Sequence, residues 1–371
     1  MYCCYFFCMK FNYMEESEIN DLRGEGEFKG FSFSKFKKAE VKKELLNSLV
    51  HSKIEPACYW SAELICAGHY TDLWEIILLF FSKFIHLGNS SIGIYLEMRI
   101  NDFKTIVNNG YSDSTLSLRN NDRIRKLFCE IMCVLCDAKR KHSFDTIKIK
   151  PADFDMTQMR DKFKATSNTY AQDIFLSEDP KELFPAVNEI AFNISEESKN
   201  AMIACYWLEW IMEFETICKH KKERIFCERR TFANVDTKLQ KDIIWVVWDL
   251  FLYEAAKRSK FIKKTMDSLL TLFTLKYSSG CQKKRRNILY FAIALLCENI
   301  TNSEEIIRPS QQEILTNILK KIDLVYKQIK KNEVSPGTEY LFKDVKAFNL
   351  EKTIEKLETL NTFGENFIPR I

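Results

Sequence analysis

The amino-acid sequence predicts an all-α protein, an internally duplicated multi-helix bundle with two related halves. Turn-forming residues are scarce, since the 371 residues include only 10 Gly and 7 Pro. Apolar residues recur at the three-four spacing of an amphipathic helix and not in the alternation of a strand. The four-residue segment Ala-Cys-Tyr-Trp occurs twice, at 57–60 and at 204–207. A chain of this length has enough residues to bury a sizeable core in each half.

The first 30 residues are predicted to be a disordered or mis-annotated N-terminal tail. Met1–Met9 is apolar, but it has no preceding basic residues and no small-residue cleavage site, so it does not fit a signal peptide. Met9 and Met14 are alternative start sites. A genuine packed segment is the alternative interpretation.

The first helical half is predicted to span residues 31–147. Pro56 suits the first turn of a helix, and the run Asn108 to Gly110 suits a helix end. Helices are expected at about 38–51, 56–68, 71–88, 92–107 and 120–141. These elements form one compact unit.

Helical periodicity fails over residues 148–179, which are predicted to be an irregular connector. The second half, 180–300, has expected helices at about 180–192, 195–222, 235–257, 261–277 and 282–299. Residues 301–371 are expected to hold a C-terminal helix ending near Lys331 and a tail with a short helix near 350–360.

A second pair of segments supports a duplication. Arg125–Cys136 is echoed by Arg286–Cys297, 161 residues later, and the Ala-Cys-Tyr-Trp copies are 147 residues apart. The two landmarks keep the same order, which predicts an ancient duplication of a helical unit. Convergence of two core-filling helices is the alternative.

Charge is nearly balanced, with 55 basic and 51 acidic residues and a formal net charge of +4, so any nucleic-acid site must be a local patch. Two basic clusters are candidates for binding nucleic acid or an acidic partner. They comprise Lys139, Arg140, Lys141, Lys283, Lys284, Arg285 and Arg286. The second cluster lies at a predicted helix start, where the helix dipole disfavours cations. A solvated run of charges is the simpler interpretation.

The 13 cysteines lack the spacing of a secreted disulfide scaffold, so reduced thiols in an intracellular, reducing compartment are expected. Cys129, Cys133 and Cys136 fall on one face of a helix, where a core stripe is favoured over a metal site. Cys218, His220 and Cys227 are a weaker zinc candidate without an evident fourth ligand. The sequence therefore predicts no metal and no cofactor.

No phosphate-binding glycine loop, nucleophile elbow, kinase signature or metalloprotease motif occurs in the sequence, so no catalytic residue is assigned. Five of the six tryptophans, Trp60, Trp207, Trp210, Trp245 and Trp248, are expected to be core anchors. The longest apolar run, Leu73–Ile85, contains charged residues and is too short to cross a bilayer.

Two resemblances add to this interpretation. Ala57–Trp60, followed by Leu64 and Gly68, is similar to the start of the helical collar domain of clamp-loader-like AAA+ ATPases. The similarity covers only this stretch, the acidic segment of that family is missing after Ile85, and no ATPase domain is present. In composition, rich in Lys, Ile, Asn, Phe and Tyr, the chain resembles uncharacterised helical proteins of giant nucleocytoplasmic DNA viruses. That likeness implies an AT-rich viral genome, and with it a location in host cytoplasm or virion.

The expected function is that of a non-enzymatic helical scaffold or adaptor that binds a protein partner. A nucleic-acid-binding accessory factor and an enzyme of unfamiliar type are the alternatives. An exposed apolar groove would favour the scaffold, a single basic face joining the two clusters would favour nucleic acid, and a deep polar pocket would favour an enzyme. The oligomeric state is left open.

Overall fold

The computed structural model describes residues 16–111, 115–300 and 305–334. Over these residues the chain forms thirteen α-helices and no β-strand, which confirms the all-α class. The opening segment Met1–Met9 and the short helix expected near 350–360 lie outside the described residues.

Five helices form the first half. They are α1 (Lys38–Val50), α2 (Ile54–Cys66), α3 (Tyr70–Phe80), α4 (Ser91–Asn108) and α5 (Asp122–Asp137). A π-helical turn, Phe81–Ile85, extends α3. The side chain of Asn121 caps α5 by accepting a hydrogen bond from the Ile124 N–H at 3.1 Å. The apolar positions that recur along these segments of the sequence lie on the buried faces of the helices.

The connector and second half contain the remaining helices. They are α6 (Met156–Arg160), α7 (Phe184–Ile194), α8 (Ala201–His220), α9 (Ile244–Ala256), α10 (Lys260–Thr274), α11 (Cys281–Lys284), α12 (Arg286–Cys297) and α13 (Gln312–Lys330). Only α6 and a 3₁₀ turn, Pro151–Phe154, interrupt the irregular first part of the connector. The polar composition of this segment explains its lack of long helices.

The two halves share a set of helix contacts. Helix α2, which carries the first Ala-Cys-Tyr-Trp copy, packs on α1, α3 and α5, as α8, with the second copy, packs on α7, α9 and α12. Helix α1 also contacts α3 and α5, as α7 contacts α9 and α12, and α4 meets α5 as α10 meets α12. The helix order is the same except for the short α11.

The halves join through α4, which packs on α10, and through α12, which packs on residues 81–88. A Cβ atom on Gly93 of α4 would lie 3.2 Å from the Phe81 ring and 3.9 Å from Leu269 of α10. The absence of a side chain at Gly93 thus permits the close approach. Buried residues on both sides of this junction belong to one continuous core.

Residues 16–30 differ from the expected disordered tail. Ile19 and Phe28 are only 2% and 1% exposed. The buried Arg125 guanidinium donates to the Ser17 carbonyl at 3.0 Å and pairs with Asp323 of α13 at 3.0 Å. The segment is held by such polar contacts and by isolated apolar residues, which leave no periodic signal in the sequence.

Candidate functional site

The first basic cluster is built into the fold. Arg140 donates to the Leu49 carbonyl and to Ser52 Oγ, both at 2.8 Å, and so satisfies the C-terminal end of α1. Lys141 forms an ion pair with Glu298. A Cβ on Gly88 would lie 2.6 Å from the backbone oxygen of Lys139. The backbone at Lys139 therefore packs closely against the turn His86–Gly88. The charges of Arg140 and Lys141 therefore serve contacts within the protein.

The second basic cluster is divided between surface and interior. Arg285 is 4% exposed, donates to the Phe273 carbonyl at 2.6 Å and pairs with Glu75, so it is no part of a basic surface. Lys283 pairs with Glu213 at 2.9 Å, and Arg286 lies 3.5 Å from Glu209. The predicted helix start is wrong for Lys283 and Lys284, which lie in the last turn of α11, where the dipole favours cations. Arg286 does begin α12, and the nearby Glu209 carboxylate offsets the unfavourable dipole there.

The two clusters lie at opposite ends of one helix. Arg286 begins α12, whereas Glu298, the partner of Lys141, follows its last residue. A helix of 12 residues spans about 18 Å. The clusters therefore do not meet side by side along this helix.

The structure does not bring Cys218, His220 and Cys227 together as a metal-ligand group within the described residues. Cys227 is buried and its thiol donates to the Asp242 carbonyl at 3.3 Å, whereas His220 is exposed. Cys129 and Cys133 do converge, but with Cys58 of α2 and not with Cys136. A partner 71 residues away along the chain leaves no signal in local spacing.

Four of the five tryptophans singled out as core anchors are core residues, as predicted. Trp207, Trp245 and Trp248 are 0% exposed and Trp210 is 4% exposed. The prediction is wrong for Trp60, which is only partly buried. Identical tetrapeptides fix the same helical position, but the segment that covers each helix decides the exposure of the indole.

Trp60 lines an open groove between α2 and α13, which we call the Trp60 groove. Its volume is about 540 Å³. The apolar lining comprises Pro56, Cys58, Tyr59, Trp60, Ile318, Ile322, Leu324 and Val325, and the polar lining comprises Glu55, Lys321 and Gln328. Leu324 is 51% exposed. This surface combines aromatic and aliphatic walls with a rim of mixed charge.

The aromatic wall of the Trp60 groove is held in place. The Tyr59 hydroxyl donates to Glu63 at 3.3 Å, and burial together with the Glu63 charge raises the pKa of Tyr59 to about 12. The backbone N–H of Ser34 donates to the same carboxylate at 3.0 Å. The Phe36 ring meets Trp60 edge-on at 5.6 Å. The wall therefore needs little ordering to receive a ligand.

A second cavity, about 480 Å³ in volume, lies at the junction of the halves. Aromatic side chains of α3 and α4, including Tyr70, Trp74 and Phe103, line it together with residues of α10. The Arg285–Glu75 pair also lies in its wall. Because its lining comes from both halves, no local sequence motif could have indicated it.

Comparison with known proteins gives no match to a protein-family model, to a curated protein or to a solved structure. No helix in the described part of the chain has the length and apolar character that crossing a membrane requires.

Proposed function

We propose that this chain is a non-enzymatic helical scaffold or adaptor of two repeated halves. In this proposal the Trp60 groove docks an extended peptide segment of a protein partner, and an aromatic side chain of that segment packs on Trp60. The observation that carries the proposal is a contrast: Trp207, at the equivalent repeat position, is fully buried beneath a segment of this chain, whereas Trp60 meets the Phe36 ring edge-on and stays partly exposed.

The connector segment that covers Trp207 indicates which kind of ligand would suit the Trp60 groove. Phe163 of the connector stacks on Trp207 with ring centroids 5.3 Å apart and planes 1° from parallel. The next two backbone N–H groups, of Lys164 and Ala165, each donate to Glu189 at 2.9 Å. An aromatic side chain on an irregular, backbone-anchored segment is therefore the kind of ligand that this type of helix surface accepts in the same protein.

The shared helix contacts support the duplication part of the proposal, since both Ala-Cys-Tyr-Trp helices contact equivalent neighbours. The nucleic-acid alternative receives less support. Arg285 is buried, and the side chains of Arg140, Lys141, Lys283 and Arg286 bond to protein groups.

Peptide selection tests the proposal. A random peptide library displayed on phage is selected on the full chain and counter-selected on the Trp60→Ala variant. We expect the recovered peptides to share an aromatic residue and to bind Trp60→Ala at least about tenfold more weakly, which corresponds to about 1.4 kcal/mol. Met202→Ala, which removes an exposed side chain from α8, is the matched control and should leave the affinity unchanged.

Recovery of no peptide, or equal binding to Trp60→Ala, would contradict the proposal. Residues 335–371 of this chain are a rival occupant, because they begin shortly after the end of α13 at Lys330. Deletion of these residues distinguishes the two. An unchanged peptide affinity supports a separate partner, whereas a large gain in affinity on deletion would show that the chain's own residues fill the groove.

A further inference from the structure

Three buried thiols meet where α2 packs on α5. Cys58 of α2 and Cys129 and Cys133 of α5 bring their Sγ atoms within 4.8 Å of one another, and the Sγ atoms of Cys58 and Cys129 are 3.8 Å apart. The residues are 3%, 2% and 6% exposed, respectively. We call them the thiol cluster. Two come from one helix, one turn apart, and the third comes from a helix that is distant in sequence.

The spacing of the sulfurs suits a shared metal ion. Sulfurs that each lie about 2.3 Å from one ion stand about 3.8 Å apart in tetrahedral and about 4.0 Å apart in trigonal coordination. The Sγ atoms of Cys58 and Cys129 already stand at such a separation, 3.8 Å. Small side-chain rotations would complete the set. Soft sulfur donors select Cu(I), Zn(II) and iron–sulfur clusters over hard cations.

The number of available protein ligands distinguishes between these candidate ions. Within residues 16–111, 115–300 and 305–334, no fourth Cys, His, Asp or Glu joins the three sulfurs. Structural zinc is almost always bound by four protein ligands. Cu(I) is a soft ion that accepts an all-sulfur set of three. The ligand count therefore favours Cu(I).

The charge of the ion sets how many thiols of the cluster must ionise. One thiolate bound to Cu(I) gives a neutral pair, which avoids burying a net charge in the core. Each thiol that ionises on binding releases its proton to solvent.

The site is close to the surface on two sides of α13. Cys58 lines the Trp60 groove, and Cys133 lines a small depression formed with Ile54, Ile314 and Leu315. An ion has a short path to the sulfurs through either opening.

The second half provides a natural comparison. Cys205 takes the place of Cys58 in the second Ala-Cys-Tyr-Trp copy. The offset of 161 residues between the other landmarks places Tyr290 and Ala294 where α5 has Cys129 and Cys133. A helix pair of this type can thus pack its core without three thiols.

From these observations we propose that Cys58, Cys129 and Cys133 form a binding site for one Cu(I) ion, held by three sulfur ligands.

Competition for copper tests the site in the full chain, purified and reduced under anaerobic conditions. Cu(I) is titrated against bathocuproine disulfonate, and thiolate-to-copper charge-transfer absorption is recorded. We expect one Cu(I) per chain, and at least about a tenfold loss of affinity, or about 1.4 kcal/mol, in each of Cys58→Ser, Cys129→Ser and Cys133→Ser. Cys136→Ser, on the same helix, and Cys205→Ser, in the second half, are the matched controls and should bind as the wild type does.

X-ray absorption of the copper-loaded wild-type chain gives a result that does not depend on the folding of any variant. A first shell of three sulfurs supports the proposal, whereas nitrogen or oxygen ligands would overturn it. Failure to retain Cu(I) against the chelator, or equal losses in the control variants, would also overturn it. A parallel titration with Zn(II) that showed stoichiometric zinc binding without copper binding would reject Cu(I) as the ligand.

Discussion

Trp60 and Trp207 stand at the same position of two identical tetrapeptides, on helices with equivalent neighbours, yet only Trp207 is fully buried. The connector covers the second helix and stacks Phe163 on Trp207. In the first half α13 covers only part of α2, and Trp60 remains beside an open groove. The comparison teaches that the helices set the core of each half, whereas the covering segments set its surface.

The strongest way to break this comparison is to truncate both indoles. Trp207→Ala should lower the free energy of unfolding by about 3–5 kcal/mol, because it leaves a large cavity under the connector. Trp60→Ala should cost only about 1–2 kcal/mol, because less apolar surface is buried there. Urea unfolding followed by circular dichroism measures both values.

Trp207→Phe and Trp60→Phe serve as controls that retain an aromatic ring. Equal losses of stability in Trp60→Ala and Trp207→Ala would show that the two positions are packed alike and would end the comparison.

The junction that joins the halves should respond to pH through His86. This residue is 1% exposed and packs on Phe291 of α12 with ring centroids 4.8 Å apart. Burial, and secondarily the charge of Lys141, lowers the pKa of His86 to about 4. In the unfolded chain the imidazole takes up a proton below about pH 6.5. Its contribution to stability is therefore present above that pH and is lost as the pH falls toward about 4.

We expect the contribution of His86 to the unfolding free energy to fall by about 2 kcal/mol between about pH 7 and about pH 5. Urea unfolding of the wild type and of His86→Asn at both pH values measures it. Asn does not titrate and tolerates the positive φ of 46° at this position. An identical pH dependence in the two proteins would contradict a buried neutral imidazole.

The smallest expected effect tests directly whether Phe163 is what shields Trp207 from solvent. Phe163→Ala removes the ring that stacks on Trp207, and we expect a loss of about 1 kcal/mol, because Phe163 is itself only partly buried. The variant should also make one additional tryptophan accessible to acrylamide quenching of fluorescence.

Phe175→Ala, which removes a connector ring that packs on Phe184, is the matched control and should leave the quenching at the wild-type level. If quenching in Phe163→Ala stayed at the wild-type level, the connector would cover Trp207 without need of the stacked ring.

The sequence predicted the helices well because their periodicity is local. Helix α1 was expected at 38–51 and is observed at Lys38–Val50, and the stop at Gly68 coincides with a positive φ of 74°. Such features depend on neighbours within one or two turns. The repeated tetrapeptide likewise marked two helices with corresponding contacts.

The candidate sites could not be predicted because they depend on distant partners. Cys58 joins a helix 71 residues away, and the Trp60 groove needs α13, from the other end of the chain. Arg285 looked like a surface charge until Glu75, from the other half, accounted for its burial. The order of residues along the chain does not report such pairings.

The contacts between residues 16–21 and 333–334 have a consequence for folding order. The Asn20 N–H donates to Glu333 at 2.7 Å, and the Val334 N–H donates to Asp21 at 3.0 Å, each across 313 residues of sequence. Closing so long a loop costs conformational entropy, so these contacts become stabilising only after the intervening chain is compact. We therefore expect α13 to dock last, onto two halves that have already formed. Transient undocking of this late helix would uncover Cys58 and Trp60 in a single step.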